Sequence, residues 1–542
     1  MPDHPAVTPA VVRRALWTRT EIAILDVRPE GRFAEGHPLF AASFPRGQLE
    51  ALVYERLPRR SVPVVVYGDG PDDAEAAARR LCELGYTDVS VLAGGLAGWT
   101  AEGGELFRDV NAPSKAFGEL VAATARTPSL SAAEVAALLG AGGDAGGGAG
   151  WGPAVVVVDA RRFEEYRTMS IPTAVSVPGA ELALRVRALA PDPATTVVVN
   201  CAGRTRSIIG TQSLINAGLP NRVVALRNGT IGWTLAGLEL DHGQQRRAPE
   251  VSAETARQAA EAAWAVAGRA GVRRADAAGL RSLAEGGNRT VYRFDVRTPE
   301  EYESGHLPGF RSAPGGQLVQ ETDWFAPVRG ALIVLADDAG GRAAMTASWL
   351  AQMGWDVVVA TARPDAPLAR GRWTPDRPAA PDVPLAEPAA VADWLRAGEA
   401  SVADVGTSRE FAAGHVPGSV WAPRTGLSRM ELSGRLVLTS PDGYLAAWAA
   451  ADLRLPGTEV VVLAGGTQGW ARSGCPVELG PGEMLSPAAD VYRRPYEGTG
   501  VDPVVMRAYL DWEHGLVAQL GRDGTHGFTV LMPERQSSEN RT

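Results

Sequence analysis

The 542-residue chain is poor in cysteine and almost devoid of lysine. It carries three cysteines, Cys82, Cys201 and Cys475, and a single lysine, Lys115, among 53 basic residues. Three thiols in a chain of this length give no disulfide framework, and no Cys/His spacing suggests a metal site. No stretch approaches the roughly 18 uninterrupted apolar residues of a membrane span. Met1 to Pro9 has no basic region followed by an apolar core, so no signal peptide is read there. A formal charge of −9 argues against general nucleic-acid binding. These absences leave a soluble, cytoplasmic protein without a cofactor or metal, and the length suggests three to four domains.

What the chain does have is one cysteine in a distinctive setting. Cys201 follows the β-branched run Thr195 to Asn200 and opens the segment Cys201-Ala202-Gly203-Arg204-Thr205-Arg206, directly before a helix-like stretch from Ser207 to Ala217. Successive N–H groups in a tight loop at a helix N-terminus form a donor nest, and the helix dipole adds positive partial charge. Such a loop holds an oxyanion. With Arg204 and Arg206 nearby, it is expected to lower the thiol pKa and make Cys201 a nucleophile at neutral pH. Cys82, in a helical run, and Cys475, after a Gly-Trp turn, read as structural thiols.

The rest of the chain repeats the unit that carries this loop. Strands ending in Asp-x-Arg or its equivalent stand at Leu25 to Arg28, Val158 to Arg161, Phe294 to Arg297 and Ala403 to Gly406, each running into a turn closed by Pro. A second apolar strand follows each. The interval from the Asp to the first loop residue is 42 in three copies (26 to 68, 159 to 201, 295 to 337) and 36 in the fourth (404 to 440). A constant interval argues for one repeated parallel α/β unit.

These features together resemble four tandem rhodanese-like domains, the sulfurtransferase fold. The matching elements are the Asp-Val-Arg strand end, the Gly-His-x-Pro-Gly turn, the six-residue Cys-to-Arg loop and the closing Gly-Gly-x-x-Gly-Trp. That last element stands as Gly94 to Trp99, Asn228 to Trp233 and Gly465 to Trp470. Asn228 replaces the first Gly, as suits a left-handed turn position. The resemblance covers about residues 10 to 480 and implies, in each copy, a small parallel five-stranded sheet flanked by helices on both faces.

Only the second copy keeps the chemistry. Gly68, Asp337 and Ser440 stand at the position of Cys201, and Asp73, Arg342 and Leu445 at that of Arg206. Copies one, three and four are therefore expected to be inactive, with Arg342 pairing Asp337 or Asp338. The second copy itself has Met169-Ser170 where the others have Gly-His. That His, like Asp159 and Arg161, reads as structural.

The resemblance implies a sulfurtransferase. Cys201 would take a sulfane sulfur from thiosulfate or a related small anion as a persulfide, and pass it to cyanide, a thiol or a protein acceptor. Residues 202 to 206 would bind the anion. Arg185 and Arg187 could lie at the pocket mouth, or on a solvated helix face. A six-residue loop fits sulfur better than the seven-residue loop of the related phosphatases and arsenate reductases. A non-catalytic scaffold in which the Cys-less repeats bind a partner is the alternative, and a thiol-based phosphatase or arsenate reductase a weaker one.

The domains are expected at 1–108, 127–245, 246–375 and 376–482, with a linker at 109–126 and a helical tail at 483–542. Residues 141 to 150 read as a mobile Gly/Ala-rich loop, and the end from Pro533 as disordered. In the tail, Asp502-Pro503 reads as a helix start followed by an apolar stripe at 506, 509, 510, 516, 517 and 520, packing on the domains.

Overall fold

The computed structural model describes residues 4–141, 154–285, 288–361, 367–430 and 434–532. Most of the Gly/Ala-rich segment at 141 to 150 and the end from Pro533 therefore lie outside the described residues.

Four mostly parallel sheets follow the four repeats. In the second, the order is Ser129–Leu130, Val223–Leu226, Thr196–Asn200, Val155–Asp159 and Val175–Ser176, all parallel. The other three keep this order. Valine-rich central strands such as Thr196–Asn200 are buried along their whole length because helices cover both faces of the sheet.

Each Asp-x-Arg strand end folds on itself. Arg161 donates from Nε and Nη2 to the two Asp159 oxygens at 2.9 and 2.8 Å, and from Nη2 to the Met169 carbonyl. Arg28 and Arg297 do the same with Asp26 and Asp295. Where Gly406 replaces the Arg, burial without a cation pushes the Asp404 carboxyl up to about 6. The turn histidines are structural, as expected: His37, His306 and His415 are buried and stack on Phe33, Tyr302 and Phe411. Asn228 adopts the left-handed conformation, with φ of 64°.

The repeats are not separate beads. Strand Val328–Arg329 of the third repeat adds antiparallel to Ile22–Asp26 of the first, and one apolar core runs through both repeats. The segment read as a linker is a helix, Ala112–Ala125, with most of its residues buried. Its Phe117 packs against Trp349 and Phe528, which a sequence reading of 109–126 alone does not reveal.

The tail helix spans Pro503–Asp523, capped by the Asp502 side chain, which accepts from the Val504 N–H at 2.7 Å. It buries Met506, Tyr509, Leu510, Glu513, Leu516 and Leu520. No described helix is long and apolar enough to cross a membrane.

Candidate active site

Strand Thr196–Asn200 delivers Cys201 to the loop, and helix Thr205–Asn216 begins at its far end. The closing turn of the repeat holds the loop from behind. Thr230 and Ile231 donate their N–H groups to the carbonyls of Cys201 and Ala202 at 2.9 and 3.0 Å. A β-carbon on Gly229 would lie 2.2 Å from the Cys201 carbonyl oxygen, so only glycine allows this approach. Among the described residues no protein acceptor takes the N–H groups of residues 202 to 206. The donor nest is therefore formed and not filled by an acceptor of the protein itself.

Cys201 is only 2% exposed. Its thiol donates to Ser207 Oγ at 3.4 Å, and that hydroxyl donates to the Arg204 carbonyl. The expected fall in its pKa does not appear. Burial pushes the thiol up, outweighing Arg206 and Ser207, which favour the thiolate, while Glu513 opposes it.

The two arginines are engaged by carboxylates. Arg206 forms a two-point pair with Glu165 at 2.7 and 2.8 Å. Arg204 does the same with Glu119 at 2.6 and 2.8 Å and also donates to Asn228. Arg185 bonds Glu181 and the Pro249 carbonyl, and Arg187 the Ala217 carbonyl. No described contact joins either residue to the loop.

The tail helix roofs the loop. A β-carbon on Gly203 would lie 3.2 Å from both Tyr509 Cε1 and Glu513 Oε2. Glu513 Oε1 accepts from the Tyr509 hydroxyl at 2.8 Å, whereas Oε2 is buried with no partner. Burial pushes the Glu513 carboxyl up to about 8, against the pull of Lys115 and Arg204 and with added repulsion from Glu119. Lys115, the single lysine, is enclosed. Its Nζ lies 2.9 Å from Asp109 Oδ1 and 5.2 to 5.6 Å from the ring centres of Tyr496, Tyr509 and Trp512. Beside the loop, a cleft of about 460 Å³ is lined by Arg161, Arg162, Arg206, Gln320, Arg494 and Tyr496, among others.

In the other repeats the corresponding loops are occupied from within. Asp337 accepts from the N–H groups of Gly340 and Ala343, so its carboxylate sits in the nest. Arg342 pairs with Asp338, as one of the two expected partners, and with Glu301 and Glu181 as well. Asp73 fills the space beside Gly68 and pairs with Arg46. Ser440 is buried, its Oγ accepting from the Ala446 N–H.

Sequence reasoning missed Glu119, Glu165, Tyr509 and Glu513. Glu165 had a signal: it recurs as Glu301 and Glu410, at the third position of the helix after each Asp. Glu513 had only its place on the apolar stripe of the tail. Among the described residues no cluster of His, Cys, Asp or Glu could hold a metal.

The rhodanese-like domain family matches residues 8–102, 132–236 and 276–361, more than half of the chain. A solved thiosulfate sulfurtransferase from Pseudomonas aeruginosa is 54% identical, over 97% of this chain and 100% of that one, with a TM-score of 0.93. The Alr3790 protein from Anabaena sp. is 32% identical over 20% of this chain and 86% of its own, with a TM-score of 0.19. An HTH-type transcriptional regulator of Mycobacterium tuberculosis is 36% identical over 89 residues. That match spans 16% of this chain and 38% of the regulator's length.

Proposed function

The chain belongs to the rhodanese-like domain family, and from that premise we propose that it is a sulfurtransferase working through a persulfide on Cys201. The observation that carries this reading is the contrast between the loops. One nest surrounds a thiol and is left unfilled by the protein, and the corresponding loop of the third repeat is filled by its own carboxylate.

In the proposed reaction the Cys201 thiolate attacks the outer sulfur of thiosulfate or a related sulfane donor. The S–S bond of the donor breaks, sulfite leaves with the electron pair, and Cys201 carries a persulfide anion. The free N–H groups of residues 202 to 206 and the start of helix Thr205–Asn216 stabilise both the incoming anion and the persulfide. Arg204 and Arg206, balanced by Glu119 and Glu165, set the loop geometry more than its net charge. A thiophilic acceptor, cyanide or a thiol, then takes the terminal sulfur and restores Cys201. The reaction needs no cofactor, and a reducing cytoplasm would keep the thiol available.

The test is thiosulfate-dependent sulfur transfer to cyanide, with intact-mass detection of one added sulfur, about 32 Da, as expected of covalent catalysis. Activity and adduct should both vanish in Cys201→Ser. An adduct that persists in that variant, or none with several sulfane donors, sinks the reading and leaves the scaffold alternative.

A further inference from the structure

We propose that Glu513, brought to the loop by the tail helix, is a positioning residue that sets the ionisation of Cys201: the thiolate forms while this carboxyl keeps its proton, and an ionised Glu513 holds Cys201 as the thiol. The inference rests on Cys201 being the nucleophile.

The geometry supplies the pairing. Glu513 is 1% exposed, and its Oε2 packs on Gly203, two residues beyond the thiol, with no hydrogen-bond partner. A buried carboxylate oxygen left without a donor is costly, and protonation removes most of that cost. The thiol is buried in the same place. Two groups that each resist ionisation, and that repel when both are charged, ionise one at a time.

The charged groups around Glu513 come from three elements. Helix Ala112–Ala125 contributes Lys115, which favours the carboxylate, and Glu119, which opposes it. The loop contributes Arg204, and the tail helix itself contributes the Tyr509 hydroxyl. Arg206 and Ser207 favour the Cys201 thiolate, and Glu513 opposes it. The pair therefore carries one negative charge at a time: Cys201 gives its proton to solvent and becomes the thiolate while Glu513 stays protonated. The thiolate then meets the donor anion without a second negative charge beside it.

The test reads thiolate formation without a reagent that must enter the site. Absorbance at about 240 nm, taken as the difference between the protein and its Cys201→Ser counterpart, follows Cys201 alone as pH is raised. Glu513→Gln should move the midpoint down by about one pH unit, because the variant site never carries the opposing charge. Tyr509→Phe removes a hydrogen bond that favours the carboxylate, so it should move the midpoint the same way by less. It also serves if Glu513→Gln fails to fold. Equal midpoints in the parent and in each variant that folds would overturn the proposal. Because no sulfur donor is present, a shifted midpoint in a protein that transfers no sulfur would count against the function and not against this pairing.

Discussion

Arg206 is gripped at two points by Glu165, and Arg342 of the third repeat is gripped by Glu301 across the same interval of chain. A pair kept where no nucleophile remains is a brace for the loop. Burial works against the Glu165 carboxylate, yet Arg206 outweighs it and holds the carboxyl down at about 2. A carboxyl lowered in the folded state stabilises the fold above its unfolded value and loses that contribution as pH falls through the folded one. Glu165→Gln should therefore cost about 1 kcal/mol at pH 7, discounted because the side chain is partly open to solvent. The deficit in melting temperature against the parent should narrow as pH is lowered from about 4 toward 2. An equal deficit across that range would refute the assignment.

Gly229 has no room for a β-carbon against the Cys201 carbonyl, and its φ of 53° is left-handed. Gly229→Ala should destabilise the second repeat by about 2 kcal/mol or more. It should also displace the loop, so that persulfide formation falls further than stability alone accounts for. Mass detection of the adduct, at a temperature where the variant is folded, reads this directly.

Asp337 plays the anion in the nest of the third repeat. Asp337→Ala leaves two N–H groups unpaired and should cost about 1 to 3 kcal/mol. It also vacates a donor nest for an outside anion. Sulfate should then raise the melting temperature of the variant more than that of the parent, and equal responses would show that the nest has collapsed.

Arg185 is held by Glu181 and the Pro249 carbonyl. Arg185→Ala should leave the KM for thiosulfate within about twofold, because a contact that substrate never makes changes neither binding nor transition state. A KM raised tenfold or more would place Arg185 at the pocket mouth after all.

The parallel units and the position of the nucleophile were legible in the sequence because they are local. An apolar strand, an Asp at its end, a left-handed turn residue at Asn228 and a Cys-to-Arg loop each state their own geometry within a few residues. The degeneracy of Gly68, Asp337 and Ser440 could be read off the same alignment of repeats. What the sequence concealed depends on contacts between distant segments. The nest predicts a low thiol pKa only if water reaches it, and Tyr509 and Glu513, far along the chain, help exclude that water. The helix at Ala112–Ala125 looked like a linker because the surfaces that bury it, Trp349 and Phe528 among them, belong to other parts of the chain. Strand Val328–Arg329 is two residues long and earns its place only by pairing with another repeat.

The roof over Cys201 also has an order in time. A chain leaves the ribosome from its N-terminus, and domains tend to fold as they emerge. Cys201 and its loop are made long before Tyr509 and Glu513, so throughout the synthesis of the third and fourth repeats the thiol has no lid. Closure of the site thus has to wait for the tail helix, and a messenger cut short before it would yield a protein whose nucleophile is built but unguarded.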